Sequence, residues 1–151
     1  MVTILNRYAL GDMDCCYFKD SESGNVELAL IPAGMEPLAW EKKRQRVDSL
    51  IQIKKAGDAY PGGYAGGATL RESATTGALR FERQYVEEDE EQTAIYTVMD
   101  CGQGCRATHV LVWKKGSLHL ECRTEFENGG EKRVSLELLS SFSLGGITPF
   151  T

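Results

Sequence analysis

Two histidines, five cysteines and 22 acidic side chains are the groups with which this chain could build a reaction centre. Nucleophilic catalysis needs a Ser, Cys or Thr beside a base, and the sequence offers no Gly-x-Ser-x-Gly elbow and no cysteine in a setting that would depress its pKa. His109 and His119 each fall inside an expected strand. His119 lies on the polar side of its strand, as a surface or interface residue. His109 shares a side with Leu111 and Trp113, as a hydrogen-bonded histidine of the core or sheet surface. Cys15 and Cys16 are adjacent, so on a strand they point to opposite faces and cannot chelate together. Cys101-Gly-Gln-Gly-Cys105 is wider than a zinc knuckle and has no second Cys/His pair at ligand spacing. The expectation is reduced thiols in a cytoplasmic chain, without metal or cofactor. Glu121 and Glu125 flank Arg123 on one strand face, the pattern of a solvated charge ladder rather than of a carboxylate held in an apolar setting for acid catalysis. No catalytic residue is assigned.

The segment that breaks the pattern is Gly57 to Thr76 (GDAYPGGYAGGATLRESATT), glycine-rich and without alternation. A loop of this length inside a compact domain is usually functional or disordered. Tyr60 and Tyr64 could stack on a sugar ring, with Arg71 as a bidentate donor, which makes these three the candidate residues of a substrate rim. A plain connection pinned by its aromatics is the competing reading. No Gly-Lys-Ser/Thr follows, so this is not a phosphate-binding loop.

A formal net charge of −5 argues against nucleic acid as a partner. The basic run Lys42 to Arg46 reads as a solvated connector. No apolar run is long enough to span a membrane, and the start MVTILNRYALGD lacks the features of a signal peptide.

The elements that must position these groups are strands. Ser117 to Glu127 alternates Leu118, Leu120, Cys122, Thr124 and Phe126 against His119, Glu121, Arg123 and Glu125. Ala107 to Lys115 precedes it across a tight Lys115-Gly116-Ser117 hairpin, and Asn128-Gly129-Gly130 leads on to a strand over Val134 to Leu144, giving a meander. Ala78 to Val86 places Leu79, Phe81, Arg83 and Tyr85 on one side, and Gln92 to Asp100 follows the acidic run Glu87 to Glu91 at a solvated tip. Val2 to Asn6, Met13 to Lys19, Val26 to Ile31 and Leu50 to Lys55 are shorter strands, and Trp40 to Ser49, weakly amphipathic, is the one segment resembling a helix and reads equally well as a loop over the sheet. The expected fold is all-β: a large antiparallel two-sheet β-sandwich (supersandwich-like) formed as one domain over residues 1–151.

The last eighteen residues, Val134 to Thr151, are patterned like interior sequence, and the chain is expected to continue into more protein. Val134 to Phe150 (VSLELLSSFSLGGITPF), after a strand and the Glu127-Asn128 turn, resembles the end of the amino-terminal β-sandwich domain of glycoside hydrolase family 36, the α-galactosidase (melibiase) family. Tyr60-Pro61-Gly62-Gly63-Tyr64 with Thr69-Leu70-Arg71-Glu72-Ser73 is similar to a loop of the same domain. The resemblance extends over the chain, chiefly from Leu50 onward.

In that family two aspartates, nucleophile and acid/base, sit in a (β/α)8 barrel that follows the sandwich, and no part of such a barrel lies within these 151 residues. The resemblance therefore implies a non-catalytic domain that packs on the barrel, supports homo-oligomer assembly and lends the Tyr60–Arg71 segment to the rim of the sugar pocket. The whole enzyme would hydrolyse terminal α-galactosides with retention. The cysteines and the acidic run are departures from that family's pattern. The alternative from another class is a stand-alone carbohydrate-binding β-sandwich module using Tyr60, Tyr64, Trp40 and Trp113. A third is a structural protein that only oligomerises.

Overall fold

Alternating side chains produce sheets, and two main sheets with one small one account for nearly all the regular structure. The computed structural model describes residues 1–35, 46–61 and 72–145. Strands β1 (Val2–Leu10), β2 (Met13–Asp20) and β3 (Val26–Pro32) form one antiparallel sheet in that order. β4 (Ile53–Lys55) is followed by a single helical turn, α1 (Ala74–Gly77). Then β5 (Arg80–Glu88), β6 (Gln92–Gly102), β7 (Cys105–Lys114) and β8 (Leu120–Asn128) make a four-stranded antiparallel meander, and β9 (Leu136–Leu139) ends the series. The fold is all-β and sandwich-like, as the alternation requires.

The core lies between the two larger sheets. Tyr17 and Leu28 of the first sheet and Ile95, Met99 and Leu111 of the second are fully buried in one cluster. Burial of each such side chain contributes about 1.5–3 kcal/mol. β2 is covered on both faces: Cys15 and Tyr17 face the main core, while Cys16 and Phe18 join Ala29, Ile31 and Val47 in a second cluster. A strand buried twice reads as an apolar run rather than an alternation, and CCYF is that run. The β1–β2 turn requires its glycine. Gly11 has φ +65°, and a side chain there would meet the Trp113 ring at 3.3 Å.

Three expectations need correction, and a fourth lies mostly outside the described residues. The Val134–Leu144 strand shrinks to Leu136–Leu139, and it leaves the meander to pair with β4, Ile53 opposite Leu139. The hairpin before β8 is wider than a tight turn: the strand begins at Leu120, and Leu118 is 98% exposed instead of facing the core. In β5 a bulge between Phe81 and Arg83 shifts the phase of the strand. Phe81 packs on the core, yet Gln84 rather than Tyr85 turns inward beyond it. The Trp40–Ser49 helix falls largely outside the described residues, and residues 46–49 are not helical. Among the described residues, no helix is long and apolar enough to cross a membrane.

Candidate functional site

The described residues on either side of positions 62–71 of the long glycine-rich segment follow β4 and precede α1, and they are tied together. The Ala74 amide donates to the Ala59 carbonyl at 2.9 Å. On the β4 stem the Asp58 carboxylate accepts the Lys55 amide at 2.9 Å. Partial burial opposes ionisation of Asp58, but hydrogen bonds from Thr75 and the Lys55 amide hold its carboxyl below the usual range. On the α1 stem Glu72 takes a left-handed φ of +59° and donates its amide to the Gln52 side chain at 3.0 Å. Ser73 then caps α1: its Oγ accepts the Thr76 amide at 3.2 Å and donates to the Ile53 carbonyl. A cap that satisfies a buried helix amide otherwise left without a partner, and ties to a neighbouring strand, fixes the start of α1 against β4.

Tyr60, half-buried, stands at the root of this segment with the Lys54 ammonium 5.9 Å from its ring centre. Lys54 is ion-paired with Glu137 of β9, and the Glu137 hydrogen bond raises its pKa. Tyr64 and Arg71, the other two expected rim residues, lie outside the described residues, as does Trp40. Trp113 does not offer a free platform. Its ring packs on the main core and its Nε1 donates to the Ser117 carbonyl at 3.1 Å.

The histidines separate as their positions require. His119 is exposed, with Nδ1 2.9 Å from the Ser117 hydroxyl. His109 is fully buried in the core, and its nearest polar neighbour is the Ser141 backbone, too poorly placed for a well-formed hydrogen bond to either ring nitrogen. Burial pushes its pKa down to about 4, only partly offset by the nearby Ser141 backbone, so the ring is neutral. Cross-strand register places Gln84, Thr97, His109 and Thr124 in one row across the inner face of the four-stranded sheet. Every other member of this polar row is bonded: Gln84 to Thr97 at 2.8 Å, and Thr124 to the Ser140 carbonyl at 2.6 Å. Burial also pushes Cys15 up to about 12 and both Cys16 and Cys101 to about 11.

Sequence reasoning missed the outer face of the four-stranded sheet. Tyr85 and Tyr96, directly opposite on β5 and β6, stack with ring centres 4.7 Å apart and planes 3° apart. The Arg83 guanidinium stands 5.5 Å from the Tyr85 ring centre, and the Tyr96 hydroxyl donates to Glu87 at 3.2 Å. The signal was present in the alternation of β6, but the bulge in β5 concealed that Tyr85 is its partner. Compared with family models, with curated proteins and with solved structures, the chain gives no match.

Proposed function

We propose that this chain is the amino-terminal β-sandwich domain of an α-galactosidase-like glycoside hydrolase of family 36, supporting a catalytic barrel and lending the segment that begins at Tyr60 to the rim of its sugar pocket. One observation carries the reading: β4 and β9 pair, so the root of the Tyr60 segment and the leucine-rich end strand share one small sheet. Leu138 and Phe142, on and just after β9, are 41% and 49% exposed. Apolar side chains left in water beside a stapled loop suit a surface that another domain covers. The retaining hydrolysis of terminal α-galactosides belongs to the barrel, and this domain supplies support and rim.

The decisive test is the coding sequence downstream of Thr151 together with a Tyr60→Ala variant of the full-length product. A barrel with two reactive aspartates, and a raised KM for an aryl α-galactoside in the variant, are the expected results. A stop codon, or hydrolysis by residues 1–151 alone, overturns the reading.

The Tyr85–Tyr96 stack, with Tyr85 40% exposed, favours a second reading as a carbohydrate-binding module. Titration of the isolated chain with galactose, melibiose and raffinose, followed by the ring resonances of the two tyrosines, separates the two. Saturable shifts support the module, and silent rings support the domain of a larger enzyme.

A further inference from the structure

β6 runs from the acidic tip at Glu87–Glu91 to the Gln103 turn, and β8 returns in the same direction to Asn128, so residues 103 and 128–133 gather at the end of the sheet farthest from the acidic tip. The end of β4 meets them there, held by the Ala56 amide donating to the Ser135 carbonyl at 2.9 Å. Between the end of β4 and this end of the four-stranded sheet opens a cleft of about 550 Å³. That is within the range of small-molecule sites, about 300–1,000 Å³.

Three cations from distant parts of the chain line it, Lys55, Lys132 and Arg133, against one carboxylate, Glu131. Most basic residues elsewhere on the four-stranded sheet are matched: Arg106 with Glu82, Lys114 with Glu121, Lys115 with Glu88 and Arg123 with Glu125. Among the described residues, Lys132 and Arg133 have no ion-pair partner, in a chain whose net charge is −5. Unpaired cations converging in a chain with surplus carboxylates are what recognition of an anion requires.

The wall that presents them is rigid. The Gly129 amide donates to the Gly104 carbonyl at 3.0 Å, and the Asn128 side chain accepts the Gly130 amide at 3.1 Å while donating to the Lys132 carbonyl at 2.8 Å. The two turns touch so closely that a side chain at Gly130 would collide with the Gln103 carbonyl. Gln103 itself sits at φ +54°, which turns its residue onto the rim of the cleft.

We propose that this cleft binds a small, sugar-sized molecule bearing a phosphate or carboxylate group. Lys55, Lys132 and Arg133 hold the anionic group, and the Gln103 amide meets the neutral part. The proposal stands apart from the Tyr60 segment and does not rest on the glycosidase reading.

The test is an amide chemical-shift titration of the whole chain with inorganic phosphate, glucose 6-phosphate, glucuronate and, as a neutral control, glucose. Saturable shifts centred on Gly104, Gly129, Gly130, Lys132 and Arg133 are expected with the anions and not with glucose. The stronger of glucose 6-phosphate and glucuronate identifies which anionic group the site takes. The exposed pair Lys132→Ala/Arg133→Ala should weaken binding about tenfold or more, while Lys114→Ala/Lys115→Ala at the opposite end leaves it unchanged. Shifts that never saturate, that map elsewhere, or that weaken equally in both variants reduce the effect to diffuse attraction and overturn the proposal.

Discussion

The Tyr8 hydroxyl donates to the side-chain oxygen of Gln84 at 3.0 Å, joining the edge strand of one sheet to the edge strand of the other. The same oxygen accepts the Asn6 amide at 2.7 Å, and the Gln84 amide donates onward to Thr97. Gln84→Leu leaves three partners unsatisfied in a partly buried place. It should cost about 1–3 kcal/mol, read as a lower urea midpoint at unchanged m-value. A midpoint equal to the parent's would show that water replaces all three bonds.

Ser73 both caps α1 and bonds the Ile53 carbonyl. Ser73→Ala should cost about 1–2 kcal/mol and speed hydrogen exchange at the Ala74 and Thr76 amides before the core strands respond. Ser73→Asp should restore the cap but not the bond to Ile53, and so recover only part of the loss. Uniform acceleration across the sandwich would mean that the stem has no local stability of its own.

His109 is held near pKa 4 against an ordinary value of 6.5. As pH falls the unfolded chain takes up its proton first, so stability declines from about pH 6.5 and levels off below about pH 4. The total is on the order of 3 kcal/mol. Asp20, held low chiefly by the Glu22 amide, loses its contribution only below its ordinary value of 3.8, so the two windows separate. His109→Leu should remove the slope between pH 6.5 and 4 in denaturant titrations. An unchanged slope would assign the dependence to other groups.

Thiol reactivity should follow burial. Cys15, Cys16 and Cys101, all buried and with raised pKa values, should resist a disulfide reagent at pH 7.5 in the native state and react fully in denaturant. Cys122, half-buried and raised by burial, should react first but still slowly. Fast native labelling of Cys15 or Cys16 would mean that the first sheet opens readily.

What the sequence made legible was local. The alternation of Leu120, Cys122, Thr124 and Phe126 reproduces the face they present, because a strand's period is a property of the strand itself. The partner of β9 was not legible, because Ile53 and Leu139 meet across more than half of the chain and no turn announces it. One inserted residue at the β5 bulge was enough to send Tyr85 to the wrong side. At the candidate rim, Tyr60 was readable as an aromatic set among glycines, but the Ala59–Ala74 staple was not, since backbone bonds leave no trace in side-chain type. The basic cleft was hidden for a related reason. Lys55 is far in sequence from Lys132 and Arg133, and only the fold assembles them.

The acidic tip and the basic cleft occupy the two poles of a single four-stranded sheet, whose strands span up to 11 residues. Charge is unevenly spread along these strands, and raising the ionic strength should weaken any capture of an anion at the cleft end.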